Sequence, residues 1–282
     1  MLPATHLKRT IDFNKNFRSL LEVLKLVAVS EYHNLERKLR TFERLQNILV
    51  EFFSSVDLSH VRHPFLNPGK RPMCVVAVTS DGGLLGGINM QVVSKAVDLV
   101  RENNGSLVVI GDRGLVYAQD TGLPFVHYPG IIDSQRYAQA AQIRDFLMQK
   151  VIAGEYGALK IVYPKAHSFV VHRVEVVTVL PFVPPAPSEA LAATGNKRVI
   201  FESTPAEVME YLVYLVAGQR LYEIFGEARV CEQAARYLHL EESCNKILEM
   251  NQKLLLQYFR RRHEIIDANM RELFSARILY AQ

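Results

Sequence analysis

Residues 74–89, CVVAVTSDGGLLGGIN, decide the fold class of this chain. An apolar, β-branched run ends at Thr79 and Ser80, and Asp81 and two glycine doublets precede the next helical pattern. A glycine-rich turn between a buried strand and a helix is typical of an α/β sheet. Glycine allows positive φ and close backbone approach, and Asp81 and Asn89 are candidates to cap the turn. The residues predicted to form this structural turn are Asp81, Gly82, Gly83, Gly86, Gly87 and Asn89.

The same turn raises the question of a phosphate site, because nucleotides bind at such corners in many α/β proteins. A Walker A loop has Lys and then Ser or Thr after its last glycine, where this chain has Ile88 and Asn89. A dinucleotide loop needs G-x-G-x-x-G, which GGLLGG lacks. The Asp81 carboxylate would also repel a phosphate unless a metal bridged the two. We therefore interpret the turn as a structural corner, with a nucleotide-binding enzyme as the less favoured alternative.

Further apolar runs extend the sheet on either side of the turn. Nearly all-apolar, β-branched runs lie at 106–111, 160–163 and 174–179, and helical candidates lie at 89–103, 113–121 and 134–153. Strands that are buried on both faces and alternate with helices predict a small Rossmann-like α/β domain of three or four strands. We place this domain at residues 64–187, between the proline-rich segments 63–72 and 181–187.

Long helices are predicted at both ends of the chain. Residues 4–63 contain neither glycine nor proline, and apolar residues such as Phe17, Leu21, Leu24 and Ala28 follow the spacing of a coiled-coil seam. Thr204-Pro205-Ala206-Glu207 is a helix start with Thr204 as N-cap. We predict one helix of roughly fifty residues within each of the segments 1–63 and 188–282. The α/β domain is inserted between these two helices, which pair as a long antiparallel coiled coil.

The composition of the chain excludes several functional classes. The 282 residues are 49% hydrophobic and 22% charged, as in ordinary globular proteins, and a net charge of +4 is small for electrostatic binding of nucleic acid. The three cysteines lie far apart, and no Cys or His cluster has metal-ligand spacing. No apolar stretch approaches about 18 residues, and the N-terminus lacks a signal-peptide pattern. We expect a cytosolic protein without metal, cofactor or nucleic acid.

Arg260, Arg261, Arg262 and His263 form the densest basic cluster of the sequence. Successive residues on a helix are about 100° apart, so three arginines cover most of the circumference and cannot all face one seam. The pattern fits either a solvated helix surface or a ring of basic side chains around a helical rod that is enclosed by acidic protein surfaces. The residues alone leave both interpretations open.

Nearly the whole chain resembles the gamma subunit of F-type ATP synthases, in the order helix, α/β domain, helix. LKLVAVSEYHN (24–34) resembles the family's A-M-x-M-V-A-A-S-K segment, and VVAVTSDGGLLGGIN (75–89) its strand and S-x-R-G-L-C-G-G-x-N turn. HPFL (63–66) is similar to its His-Pro element, and VIGDRG (109–114) to its next strand and turn. EQAAR (232–236) resembles S-E-x-x-A-R-M, and LLQYFRRRHEIID (255–267) resembles L-x-Y-N-K-x-R-Q-x-x-I-T.

The chain departs from the family pattern in segments that meet the catalytic head in that family. Glu22 stands where the family has a lysine, Gly83 replaces its arginine and Leu85 its cysteine. The I-T-x-E-L signature reads Ile266-Asp267-Ala268-Asn269-Met270, and Arg262-His263 replaces Arg-Gln. These departures keep a second interpretation open, in which the chain is the rotor-like subunit of a paralogous F-type-like ATPase.

The resemblance implies a non-catalytic central rotor shaft that couples rotation driven by ion flow to ATP synthesis or hydrolysis. The implied partners are a ring of alpha/beta-type ATPase subunits, an epsilon-like subunit and a membrane rotor ring of c-type subunits. The implied location is the cytoplasmic face of the cell membrane, without direct membrane insertion. From the residues alone, a structural coiled-coil adaptor is a further alternative. The residues implied to contact the catalytic head are Leu24, Lys25, Leu26, Val27, Ala28, Glu232, Arg236, Arg260, Arg261, Arg262 and His263, and Glu232 and Arg236 are alternatively an i,i+4 ion pair within one helix.

Overall fold

The computed structural model describes residues 3–39, 63–67, 69–183 and 204–280. Contacts divide the chain into two compact units, the first formed by residues 1–28 with 237–282 and the second by residues 29–236. The predicted helical residues 40–62 and the proline-rich residues 184–187 lie outside the described residues. The division of the chain at 1–63, 64–187 and 188–282 therefore stays a prediction.

Five strands and five α-helices make up the described residues, with a short 3-10 turn at Asp133–Gln135. In chain order they are α1 (Ala4–Leu39), β1 (Met73–Val78), α2 (Ile88–Glu102), β2 (Ser106–Ile110), α3 (Asp112–Gln119), β3 (Phe125–Tyr128), α4 (Arg136–Ile152), β4 (Ala158–Ala166), β5 (His172–Leu180) and α5 (Pro205–Tyr280). The predicted Rossmann-like domain between two long helices is confirmed, and each predicted strand and helix of that domain is present.

The strand order of the sheet is β3-β2-β1-β4-β5, with β1, β2, β3 and β4 parallel and β5 antiparallel to β4. The sheet has five strands, so the prediction of three or four was wrong, because β3 was not predicted from the sequence. Its four residues lie between Pro124 and Pro129, and as an edge strand it is only partly buried, so it lacks a continuous apolar run. The expected alternation of strands and helices also fails at β5, which follows β4 through a short hairpin.

The alternating side chains of the strands build two cores in the second unit. Val75 and Ala77 of β1 face one side of the sheet, where α2 covers them with Val92, Val93 and Ala96. The opposite face packs against α4 and α5. That core includes Val76, Val78, Ile161, Tyr163, Leu147, Leu221 and Phe225. A fully buried side chain of this size contributes about 1.5–3 kcal/mol, so helices on both faces stabilise the mainly parallel sheet.

The first unit is an antiparallel pair formed by the start of α1 and the end of α5. Leu21 packs among Leu240, Cys244 and Ile247, and Asn14 of α1 contacts Asn251 further along α5. Lower numbers on one helix thus meet higher numbers on the other, and the antiparallel pairing is confirmed. Phe17 was wrongly assigned to the seam, because 41% of its surface is exposed.

Helix α5 begins where its sequence predicts and is longer than expected. The Glu207 amide donates to Thr204 Oγ1 at 3.4 Å, and the Thr204 amide donates to Glu207 Oε2 at 3.1 Å, which confirms the capping box. The helix then runs for 76 residues without a break at Gly218 or Gly226, so the predicted length of about fifty was too short.

Candidate functional site

The glycine-rich turn lies at the carboxyl end of β1, between its last residue, Val78, and the start of α2 at Ile88. β1 has β2 on one side and β4 on the other, and the chain proceeds outward in both directions from it. In open α/β sheets this reversal of strand order creates a crevice that commonly binds ligands. The turn is therefore the place where a ligand site is expected from the topology.

Polar groups of the turn are hydrogen-bonded to neighbouring loops of the same unit. Asp81 Oδ1 accepts from the backbone amides of Asp112, at 2.8 Å, and Gly130, at 3.0 Å. Asn89 donates from Nδ2 to Ser80 Oγ at 2.9 Å, and its Oδ1 accepts from the Ser80 amide at 3.3 Å. The Asp81 carboxylate thus occupies the first turn of α3, where a helix attracts anions.

Helix α5 closes the crevice from the other side. Leu85 and Ile88 of the turn are buried against Cys231 and Ala235 of α5. A Cβ at Gly82 would lie 2.7 Å from Arg236 Nη2, so the backbone of the turn comes very close to this helix. The chain itself thus narrows the topological ligand crevice to a small cavity of about 50 Å³, lined by residues of the turn and of α5.

A charge network on α5 faces the turn. Glu232, only 6% exposed, accepts from Arg229 and, at 2.7 Å, from Arg236 Nη2. Arg236 Nη1 also donates to Gln233 Oε1 at 2.7 Å. The predicted i,i+4 ion pair is confirmed, whereas Arg229 and Gln233 were missed, although both lie one helical turn from a predicted residue. Burial raises the pKa of the Cys231 thiol to about 12, so this neighbour of Glu232 is neutral near pH 7.

Residues Leu24 to Ala28 of α1 divide between the seam and the surface of the first unit. Leu26 and Val27 are 71% and 53% exposed, whereas Ala28 is buried and Leu24 packs against the seam cluster. Lys25 forms an ion pair with Glu241 of α5, and this hydrogen bond raises the pKa of the lysine above its ordinary value. Only part of the predicted segment is therefore free to contact another protein.

The same helix carries an exposed apolar stripe, of which only Val27 was assigned to a partner surface from the sequence. Its members recur in steps of three and four along α1, beside the face that packs against α5. They are Phe13, Phe17, Leu20, Val23 and Val27, each more than 40% exposed. The rings of Phe13 and Phe17 stack with centroids 6.0 Å apart. The signal was present in the sequence, but one apolar face was expected and α1 has two.

The basic cluster lies on the exposed end of α5. Arg260, Arg262 and His263 are exposed, and Arg261 pairs with Glu264. Within the described residues, Arg260 and Arg262 form no ion pair. Apolar side chains are interspersed with the cluster and are exposed as well: Leu256, Phe259, Ile265, Ile266, Met270, Leu273 and Phe274.

Comparison with known proteins assigns the chain to a family. The family model described as ATP synthase matches residues 4–277. The chain belongs to this ATP synthase family. A relative named ATP synthase gamma chain, from Desulforudis audaxviator, is 28% identical over 283 residues, which cover 94% of this chain and 95% of the relative.

Solved structures of ATP synthases share the fold of this family member. The rotor of the Euglena gracilis mitochondrial ATP synthase matches 93% of this chain with a TM-score of 0.64 and 14% identity, over 98% of that chain. A chain from the central stalk and c-ring of the Tetrahymena thermophila mitochondrial ATP synthase matches 79% of this chain with a TM-score of 0.60 and 19% identity, over 99% of that chain.

Two further features bear on what this ATP synthase family member binds. Among the described residues, no group of three or more His, Cys, Asp and Glu side chains is arranged to hold a metal ion. No described helix has a stretch apolar enough to cross a membrane. The polar groups at the turn are engaged with each other and with neighbouring loops, and the helical pair carries the exposed apolar stripe and the basic cluster.

Proposed function

We propose that the chain is the gamma subunit of an F-type ATP synthase or ATPase, the central rotor shaft that couples rotation driven by ion flow to ATP synthesis or hydrolysis. The observation that carries the proposal is the pair of uncovered surfaces on the helical unit. The exposed apolar stripe of α1 and the apolar and basic end of α5 both extend over several helical turns. Exposed apolar surface of this extent marks a protein–protein interface.

The chain is a non-catalytic subunit in this proposal. Asp81 and Glu232, the acidic side chains nearest the crevice, are engaged by backbone amides and arginines, respectively. The Cys231 thiol has a raised pKa, so it is a poor nucleophile. Nucleotide is expected on the ring of alpha/beta-type subunits around the shaft.

Coupling follows from the asymmetry of such a shaft. A shaft that presents different side chains to each catalytic site favours a different conformation at each, and rotation moves that pattern around the ring. Linkage makes the effect reciprocal, because nucleotide binding then biases the angle of the shaft. The proposed head contacts are the exposed members of 24–28 and the Arg260–His263 cluster, whereas Glu232 and Arg236 serve as the ion pair that faces the turn.

The remaining partners follow from the family and from the solved assemblies. The Euglena gracilis structure is that of a rotor, and the Tetrahymena thermophila structure is that of a central stalk with a c-ring. We propose a membrane rotor ring of c-type subunits and an epsilon-like subunit as further partners, at the cytoplasmic face of the cell membrane. The rotor-like subunit of a paralogous F-type-like ATPase would make the same kinds of contact.

Co-expression with the ring-forming ATPase subunits of the same organism tests the proposal. The tagged chain is expected to purify with these subunits as an ATPase, and a bead attached to the chain is expected to rotate when ATP is added. Purification without any ring-forming ATPase would refute the rotor function. Calorimetry of the chain alone with ATP is expected to give no binding heat, whereas micromolar binding would favour the enzyme alternative.

A triple variant tests the basic cluster within that assembly. Arg260→Ala/Arg261→Ala/Arg262→Ala is expected to weaken assembly or ATP-driven rotation, because acidic groups of the surrounding ring would lose their guanidinium partners, of which Arg260 and Arg262 are exposed. Lys70→Ala/Lys95→Ala/Arg101→Ala, which removes three exposed charges from the other unit, is the matched control and is expected to change neither. Unchanged assembly and rotation in both variants would show that the basic cluster is solvated surface and does not contact the ring.

A further inference from the structure

Two asparagines lie face to face inside the helix pair of the first unit. Asn14 of α1 is 7% exposed and Asn251 of α5 is 9% exposed. Asn14 Nδ2 donates to Asn251 Oδ1 at 2.9 Å, and Asn251 Nδ2 donates to the backbone carbonyl of Ile11 at 3.4 Å. The two amides thus satisfy one another and one main-chain group across the helix interface.

Apolar residues surround this polar contact along the seam. Leu7, Ile11 and Leu21 of α1 and Ile247 of α5 are all buried. Such residues are largely interchangeable when one helix slides along another, because apolar attraction is non-directional. A buried amide is not interchangeable, since it costs free energy wherever its hydrogen bonds are unmade.

We propose that the Asn14–Asn251 contact is a register lock that selects one alignment of the two helices. Sliding by one heptad would move Asn251 opposite Leu21 or Leu7, and Asn14 opposite Tyr258 or Cys244. Neither alignment lets the two asparagines bond to each other. A single buried asparagine pair is a known way to fix register in coiled coils.

The ion pair between Lys25 and Glu241 is compatible with the same alignment. It lies about three helical turns from the asparagines on each helix, so both polar contacts form together in one register. Its side chains are 19% and 39% exposed, and long exposed side chains adapt to small displacements. The asparagines, which are short and buried, therefore discriminate between alignments more strongly than this ion pair does.

Distance measurement between two spin labels on the full chain tests the lock. Lys8→Cys and Lys246→Cys place the labels at exposed sites on the two helices. The sites are offset by about eleven residues along the pair, so a heptad slip in either direction shifts their axial separation by about 10 Å. The three native cysteines are buried and are expected to stay unlabelled in the folded chain.

In the doubly labelled chain that keeps Asn14 and Asn251, the distance between the two labels is expected to show one narrow distribution. Asn14→Leu/Asn251→Leu is expected to add a second population displaced by several ångströms, with a Tm equal to or above that of the parent, because the seam becomes uniformly apolar. The matched control, Asn16→Leu/Asn245→Leu, alters exposed asparagines of the same two helices and is expected to keep the single distance.

A single, unshifted distance in Asn14→Leu/Asn251→Leu would overturn the lock. If that variant aggregates, Asn14→Leu alone decides the question, because it leaves Asn251 with the Ile11 carbonyl as partner. A second distance population in this single variant supports the lock, and a single unshifted distance overturns it whatever the Tm, because loss of a buried hydrogen bond alone can lower the Tm. The measurement uses the isolated chain, so its outcome is independent of whether the chain is a rotor.

Discussion

Asp81 shows how one side chain gives the glycine-rich turn its structural character. Its carboxylate accepts hydrogen bonds from the amides of Asp112 and Gly130, which belong to two other loops. The Asp112 amide belongs to the first turn of α3, so the negative charge also lies at the positive end of that helix dipole. A bound phosphate would use the same kind of donors. The Asp81 carboxylate therefore occupies the backbone amides that an anionic ligand would use at this edge of the sheet.

Replacing Asp81 is expected to destabilise the second unit. Asp81→Ala should lower the free energy of unfolding by about 1–2 kcal/mol, the range for loss of a helix N-terminal cap. Asp81→Asn keeps one acceptor oxygen and loses the charge, so a loss of about half that size is expected. Urea denaturation measures both, and Asp98→Ala, at an exposed position of α2, is the control without loss. Equal stability of Asp81→Ala and the control would contradict the capping role.

At the scale of elements, the sequence pattern predicted those helix and strand features that depend on residues close together in the chain. The start of α5 was read from Thr204 and Glu207, whose side chains and amides form the capping box by themselves. The edge strand β3 was not predictable from periodicity, because its four residues pair only with β2. The antiparallel direction of β5 depends on its pairing with β4 across the hairpin. Such features depend on contacts between distant residues, which periodicity does not report.

The course of α5 through Gly226 depends on tertiary contacts in the same way. A glycine within a helix is unfavourable by about 1 kcal/mol relative to alanine, so local propensity disfavours a continuous helix at this point. In the folded chain a Cβ at Gly226 would lie 2.5 Å from Leu39 Cδ2 and 2.7 Å from Arg136 Nη1. Arg136 is 4% exposed and stacks on Tyr222, so it has little room to move. The glycine permits close packing of α5 against α1 and α4.

Gly226→Ala is therefore expected to reverse the usual effect of alanine in a helix. The gain in helix propensity, about 1 kcal/mol, offsets only part of the cost of overpacking, about 1–3 kcal/mol, so a net loss of stability of up to about 2 kcal/mol is expected. Asn245→Ala, at an exposed position of α5, should gain a few tenths of a kcal/mol from propensity alone. Thermal unfolding followed by circular dichroism compares them. A rise in Tm for both variants would show that Gly226 is not closely packed.

At the scale of the whole molecule, the polar groups around the glycine-rich turn are engaged within the second unit, and the first unit carries an exposed apolar stripe on α1. The second unit engages Asp81, Asn89, Glu232 and Arg236 among its own elements. The first unit buries a narrow seam and exposes the stripe of α1 that includes Phe13 and Phe17. Sequence reasoning found the seam, but it placed Phe17 there, because spacing alone does not show which of two neighbouring apolar faces meets α5.

Polar substitution of that stripe distinguishes folding from assembly. Phe13→Gln/Phe17→Gln should leave the Tm of the isolated chain within a few degrees, since the two rings are 65% and 41% exposed and contribute little to the seam. If the stripe is covered by a ring of ATPase subunits, the same change should weaken assembly at least tenfold, equivalent to about 1.4 kcal/mol. Titration of the labelled chain against the purified ring measures this affinity. Met90→Gln/Val116→Gln changes exposed apolar residues of the other unit and is expected to bind as the parent does. Equal affinity of the two variants would show that the stripe is not the surface on which the ring closes.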